Sequence, residues 1–527
     1  EGKRMAVFAR KASGLAKQAS LFDAFALGFM NGGIGGGLWT MHSWGLYTFP
    51  GGNMVLASII TMLLTVGGVS LAWGILGGSM PRSGGDYVYN SRIVHPALGT
   101  ATSWVQGVFT QLAWMWLLAP LVASPGISIL GGALGVPYET IAFFDEPAGI
   151  FLVATIGMII AFLVMLSGLK SYLWAQKICF VIGMAGVVIG LLLISFTPTQ
   201  TFISTWDTAA ATNGSATYQQ MITLGGEAGY APSTWNWTST FGLVPSITWS
   251  VSYGFYIGYI GGEIKRPERN ILMAQLLSAL VPSLLCAWAG YVFQNNLGYE
   301  FMGAVAYSDN AGPEWYAMPF PANWANFAAL LTDNTIFKFL IGFQFMIFNW
   351  LYLPIGFLVF TRVLFAQALD QIGPRWFLDL HPRFGAPVKL YALFFILSEA
   401  FIAHFTLFPE VLGGISIEVL DAITVWGLIG FVCMLFPFVK KVRHIWDASP
   451  HRWPSVAVFA GIVSLILSGV MVWAFYTSPE LGGINFDWSM VFIVVAIASI
   501  LWYVGWRWKR AKEGIDVRLA FKELPPE

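Results

Sequence analysis

Two glycine-rich apolar strings carry the residues best suited to grip a small dipolar molecule. The first runs through Asn31-Gly-Gly-Ile-Gly-Gly-Gly-Leu-Trp39 and holds five glycines between positions 32 and 37. Each glycine costs a helix about 1 kcal/mol relative to alanine, so a break is expected near Ile34 to Gly37. A half-helix starting there aims unpaired amides and a positive dipole end at a carboxylate. Ile34, Gly35, Gly36, Gly37 and Leu38 are therefore candidate solute contacts. The second string, Trp249-Ser-Val-Ser-Tyr-Gly-Phe-Tyr-Ile-Gly-Tyr-Ile-Gly-Gly-Glu263, is interrupted in the same way. Carbonyls freed around Trp249 to Ser252 suit an ammonium group, which adds Trp249, Ser252, Tyr253 and Gly254 as candidates. Together the strings complement a zwitterion.

The glycines have a second reading as a packing face, because Gly32/Gly36 and Gly33/Gly37 both fit a small-xxx-small contact. They do not form a phosphate loop, since no strand precedes them and no Gly-Lys-Ser/Thr follows. Ionisable residues inside apolar segments are functional candidates by default, because a bare charge in a bilayer is expensive. Asp23, Glu263, Glu399, His404, Glu418 and Asp421 qualify. Glu263 is the candidate for proton coupling, with a lock onto a neighbouring Arg or Lys as its alternative. Cys179, Cys286 and Cys433 lie far apart in apolar stretches, so neither a metal site nor a disulfide framework is legible. No His-Glu-x-x-His or Gly-x-Ser-x-Gly string is present, which argues against an enzyme and calls for no cofactor.

The elements that position these strings follow from composition. The chain has 527 residues, of which 57% are hydrophobic and only 10% charged, far below the roughly 25% charged content of soluble domains. Formal net charge is zero, so nothing suggests a nucleic-acid partner; lipid is the expected surrounding. Segments of about 20 apolar residues cross a bilayer, and twelve are readable: 21–47, 53–79, 97–131, 148–168, 172–196, 241–264, 271–293, 335–365, 388–408, 419–439, 454–476 and 489–508. With both termini cytoplasmic, every Lys and Arg except Lys338 falls on the inner side, as basic residues do. The start of the chain shows no cleavable signal segment. The expected organisation is a tail 1–20, a first repeat 21–196, an outer loop 197–240, a second repeat 241–440, two further helices over 441–510 and a tail 511–527. The outer segments 197–240 and 294–334 are long enough to fold over the mouth, and the first carries sequons at Asn213 and Asn236.

Several strings resemble the amino acid–polyamine–organocation superfamily of permeases over nearly the whole length. Ile34-Gly-Gly-Gly-Leu-Trp39 resembles that family's first-helix motif, and Pro81-Arg-Ser-Gly-Gly-Asp-Tyr-Val-Tyr89 with His95-Pro-Ala-Leu-Gly99 its loop between helices two and three. Glu263-Ile-Lys-Arg-Pro-Glu-Arg-Asn-Ile271 is similar to the segment after helix six. Thr361-Arg362, Pro374 and His381-Pro-Arg-Phe-Gly-Ala-Pro-Val388 follow the helix eight to nine pattern. The resemblance implies an all-α LeuT-type fold of 12 transmembrane helices, a 5+5 inverted repeat with discontinuous helices 1 and 6, and alternating access around a central site. It implies that Trp249 is a gate, as in arginine/agmatine antiporters, and places Gly254 one residue after the family's helix-six glycine.

The same resemblance bears on coupling. Sodium-coupled carriers of this fold place hydroxyls on helix eight, yet Gly342 to Phe360 contains no Ser or Thr; some proton-coupled relatives place a Lys on helix five, where this chain has Gly183. Aromatic residues such as Trp39, Trp249, Tyr253, Phe255 and the Trp104 to Trp116 stretch favour a neutral or apolar amino acid in the plasma membrane. An aromatic cage also suits an organic cation or polyamine through cation–π contact, and a solute sensor is a further alternative. A channel lacks its charged rings here.

Overall fold

A computed structural model describes residues 17–408, 417–478 and 486–525; side chains at 417, 418 and 486–488 lie outside the described set, among them the candidate Glu418. The chain is helical throughout its described residues, with only isolated bridges joining Ala19 to Ile264 and Ser83 to Ile260. Ten of its helical runs are long and apolar enough to cross a membrane.

The first apolar string forms two helices, α1 (Leu21–Gly32) and α2 (Ile34–His42). Ser20 starts α1 with a reciprocal cap, its Oγ accepting from the Asp23 amide at 3.2 Å while Asp23 Oδ2 accepts from the Ser20 amide at 2.9 Å. Next come α3 (Met54–Ser79), α4 (Asp86–Ile93) and α5 (96–123). The expected span 97–131 ends early, because Ser124 is extended (φ −119°, ψ 120°) and the chain resumes as α6 (Gly126–Leu134). Pro125 carries no amide hydrogen to continue the helix.

Two long helices follow, α7 (Pro147–Leu166) and α8 (Leu169–Phe196). The outer segment 197–240 is not a plain loop: it folds as α9 (Thr199–Asn213) and α10 (Tyr218–Glu227), and Asn236 caps a short helix, Trp237–Gly242, by accepting from the Ser239 amide at 2.8 Å. The expected span 241–264 is α-helical only over α11 (Val244–Val251); Tyr253–Tyr259 and Gly261–Glu263 are 3-10 turns.

The second half contains α12 (Pro267–Val292), α13 (Tyr299–Ala311), α14 (Trp324–Leu330), α15 (Thr335–Leu369), α16 (Val388–Leu407), α17 (Val419–Phe438), α18 (Pro454–Thr477) and α19 (Phe486–Lys512). α15 is 35 residues long and mostly buried, making it the central post: α8, α6 and α5 all pack on it. At the other extreme α19 turns Ile493, Val494, Ile497, Leu501 and Val504 outward, the apolar rim that a bilayer covers.

Candidate functional site

Gly33 alone separates α1 from α2. Its φ of 56° and ψ of 62° lie in the left-handed region, which only glycine occupies without strain. Helical hydrogen bonding resumes when the Gly37 amide donates to the Gly33 carbonyl at 2.9 Å. The amides of Ile34, Gly35 and Gly36 are thus the first-turn donors that a helix cannot satisfy internally. The break falls one residue before the expected Ile34–Gly37, because a single residue with positive φ is enough to reset the helix.

The neighbouring glycines answer a different need. A Cβ on Gly32 would overlap the Ser250 carbonyl, one on Gly37 the Ser250 hydroxyl, and one on Gly35 the Gln344 amide. α11 presses against the end of α1 at Gly32 and against α2 at Gly37, and α15 against α2 at Gly35, so Gly32, Gly35 and Gly37 serve close packing as well as weak helix formation. Gly36 differs: a Cβ there would meet the Asn349 amide group at an ordinary 3.6–3.7 Å.

α11 ends at Val251, and Ser252 (φ −108°, ψ 0°) passes the chain into the 3-10 turn. The Thr248 carbonyl accepts from the Ser252 amide at 3.1 Å and from its hydroxyl at 2.8 Å, while the carbonyls of the last turn are the acceptors that a helix C-terminus leaves over. A small cavity of about 10 Å3 lies at this level, lined by Asn31 and Gly33, by Trp249 and Tyr253, by Trp114 and Leu118 of α5, and by Phe348, Asn349 and Tyr352 of α15. That is about the space of one water molecule, so the lining closes on itself in this arrangement and a solute enters only when it parts.

Aromatic rings make most of the wall. Trp114 meets Trp249, Tyr253 and Tyr352 with centroids 5.3, 5.6 and 5.7 Å apart. The hydroxyls of Tyr256 and Tyr352 bond to each other, and Gln111 Nε2 donates to Tyr256 at 3.1 Å. On the outer side Trp249 also packs edge-on against Trp44 at 5.8 Å. Above it, α13 reaches over α2, where Asp309 accepts from Trp39 Nε1 at 2.7 Å and from the Ser43 hydroxyl at 2.5 Å.

The inner side is tied by charge. Glu263 receives both arms of the Arg362 guanidinium, Nε at 2.7 Å and Nη2 at 3.0 Å. Arg92 and Asp370 form a second buried pair at 2.7 Å, to which the Tyr87 hydroxyl donates at 2.8 Å. Asp23 pairs with Lys177 at 2.8 Å, and the Ala19 backbone receives the Lys265 amide at 2.9 Å.

A glycine-broken helix facing a second broken helix across a small cavity is matched by a family model: residues 20–499 fit that of the amino acid permeases. The chain belongs to the amino acid permease family. It is a family of transporters rather than of enzymes. A search of curated proteins returns no match.

In this permease the sequence-predicted residues divide. Trp249 and Tyr253 line the cavity; Ile34 to Leu38, Ser252 and Gly254 do not reach its surface, although Gly33, the residue before them, does. Gly254 sits against the Ser278 hydroxyl. Glu263, singled out for proton coupling, is held in the lock geometry that was its alternative, because both its oxygens are engaged by Arg362. Lys177 fastens α8 to Asp23. Glu399 accepts from Thr155 Oγ1 at 2.8 Å and is not among the cavity-lining residues.

Sequence reading missed Asn31, Asn349, Phe348 and Tyr352 as lining residues, while Trp114 falls within the aromatic Trp104 to Trp116 stretch. The legible signal was the pair of asparagines: each is a polar amide in an apolar helix, and each spends its NH2 on the carbonyl four residues back, Leu27 and Phe345. That leaves the Asn31 oxygen without a partner among the described residues.

Proposed function

We propose that this permease is a secondary active transporter of amino acids, with neutral or apolar ones favoured, working by alternating access across the plasma membrane. The observation that carries the reading is the pair of breaks at Gly33 and Ser252, whose helices touch where Gly32 and Gly37 meet Ser250. One break ends in orphan amides and the other in orphan carbonyls, with a small aromatic cavity at their level. A zwitterion placed there offers its carboxylate to Ile34–Gly36 and its ammonium to the carbonyls at the end of α11. Trp249 closes the cavity from outside, and the Glu263–Arg362 and Arg92–Asp370 pairs close it from inside.

Within this reading the two interrupted segments join the ten continuous ones as a 12-helix LeuT-type arrangement, with 21–196 and 241–440 as inverted repeats and both termini cytoplasmic. Substrate and lipid are its partners.

The cage of Trp114, Trp249, Tyr253 and Tyr352 rings favours one alternative on the same site, an organic cation or polyamine held by cation–π contact. A thermal-shift screen of the purified protein against amino acids, polyamines and organic cations separates them, since a ligand bound only by the folded state raises its stability. Counterflow of the stabilising solute in proteoliposomes then tests transport. Stabilisation by polyamines alone would replace the amino acid reading, and absence of counterflow would end it.

A further inference from the structure

Four lysines from three parts of the chain meet in one groove at the start of α8. Lys170 and Lys177 stand on α8, Lys17 on the segment that leads into α1, and Lys265 just after the 3-10 turns; with Asp23 and Trp174 they line a space of about 490 Å3. The backbone carries Lys265 there. Its amide donates to the Ala19 carbonyl at 2.9 Å, and the Gln18 and Ala19 amides donate to the Glu263 carbonyl at 2.8 and 3.0 Å. Asp23 is the sole acid in the lining, and Lys177 engages it at 2.8 Å. No ion pair joins Lys17, Lys170 or Lys265 to a carboxylate among the described residues, and all three are exposed. Like charges gathered in this way repel one another and draw an anion.

A second feature says what kind of anion. Trp174, Ile178 and Val181 follow at i, i+4 and i+7 along α8, and Phe22 joins them from α1; all four are exposed. The spacing puts the α8 residues on one face, an apolar track about 10 Å long that begins beside the lysines. Lys177 Nζ lies over the Trp174 ring at 5.1 Å, and tryptophan is the side chain that favours the boundary between headgroups and hydrocarbon. A free anion would account for the lysines and leave the track unexplained. A molecule with a charged head and hydrocarbon chains accounts for both.

We propose that this groove binds an anionic glycerophospholipid, its phosphate between Lys17, Lys170 and Lys265 and an acyl chain along Trp174, Ile178 and Val181. In the orientation proposed above, the lipid comes from the cytoplasmic leaflet. Bound there it links the start of α1 to α8 and to the segment after Glu263, on the side that the Glu263–Arg362 pair closes. Only the membrane-spanning character of the chain is required, so the identity of the solute does not bear on it.

The test titrates the full chain in uncharged detergent with dioleoyl phosphatidylglycerol, dioleoyl phosphatidylcholine or inorganic phosphate, and reads thermal unfolding and, by native mass spectrometry, retained lipid. Phosphatidylglycerol is expected to be retained and to raise the unfolding temperature, because a ligand of the folded state stabilises it; phosphatidylcholine is not. Lys170→Gln/Lys265→Gln should lower the apparent affinity for phosphatidylglycerol about fivefold per lysine, whereas Lys440→Gln/Lys512→Gln, which removes the same charge outside the groove, should leave it unchanged. Equal affinity of the groove variant and the unaltered protein overturns the proposal, as does an equal loss in the two double variants. Stabilisation by inorganic phosphate that matches phosphatidylglycerol and displaces it would assign the groove to a free anion and overturn the lipid. A further readout uses the unaltered protein alone: phosphatidylglycerol bearing a photoactivatable acyl chain is expected to label Phe22 or the Trp174–Val181 turns, and labelling confined to other helices overturns the proposal.

Discussion

Ser250 of α11 lies so close to Gly37 of α2 that no side chain fits between them; a Cβ built on Gly37 would overlap the Ser250 hydroxyl. The two broken helices therefore touch immediately beside their breaks, with glycine supplying the room. Movement of α11 relative to α2 must pass through this contact, which ties the geometry of one break to that of the other.

The contact separates two kinds of glycine in one run. Gly37→Ala is expected to destabilise the permease by about 1–3 kcal/mol through overpacking, because backbone and Cβ of Ser250 both lie within reach. Gly36→Ala is expected to fold normally, since its added methyl meets only the Asn349 amide at ordinary distance. Gly36→Val should fold but lose solute affinity, as the larger group crowds the amides of the first turn. Thermal unfolding in detergent and solute-induced stabilisation read both effects; equal stability of Gly36→Ala and Gly37→Ala would remove the distinction.

On the inner side, the Glu263–Arg362 pair predicts a non-additive outcome. Replacing one partner strands a buried charge and costs about 3–5 kcal/mol, so Arg362→Met should lower stability markedly. The double replacement Glu263→Gln/Arg362→Met removes both charges and should recover part of the loss. If the double variant is as unstable as the sum of the single ones, the bidentate contact is not what holds α15 to the end of the 3-10 turn.

Sodium should be dispensable. The α15 stretch Gly342–Phe360 offers no hydroxyl from Ser or Thr, and the space beside Gly183 on α8 is filled by the Phe348 ring at about 3 Å. A cation there would find apolar carbon in place of oxygen ligands. Uptake into proteoliposomes is expected to be unchanged when sodium is replaced by potassium; steep sodium dependence would overturn this.

How much of this was legible depended on whether the signal was local. The glycine run and its distant partner string located both breaks, since helix weakness is written in the residues that form the helix. The exact break was displaced to Gly33 because close packing by Ser250 and Gln344, invisible in sequence, explains Gly35 and Gly37. The cavity wall was half seen: Trp249 and Tyr253 belong to a recognisable string and Trp114 to an aromatic stretch, whereas Phe348 and Tyr352 come from an apolar helix with no local mark. The lock between Glu263 and Arg362 spans 99 residues, and a search for acids alone could not tell which of them had found a cation.

Trp249 supplies the last prediction. It stands in the final turn of α11 on the outer side of the break, half-buried, with its ring edge-on to Trp114 at 5.3 Å and Trp44 at 5.8 Å. Each such aromatic pair is worth about 0.5–1.5 kcal/mol beyond the area it buries. Losing both removes about 1–3 kcal/mol from the closed arrangement, and tenfold in its population corresponds to about 1.4 kcal/mol. The rest of the fold gains little from this side chain, since Thr248, Ser250 and Val251 carry the buried face of α11. Trp249→Leu is therefore expected to leave the amount of protein in the membrane unchanged while cutting transport about tenfold, with Trp249→Phe intermediate because it keeps a ring. Uptake normalised to protein in the membrane measures the difference. Full activity of Trp249→Leu would show that closure of the outer side does not depend on this ring, and the gate would have to be sought at the Trp39–Asp309 contact above it.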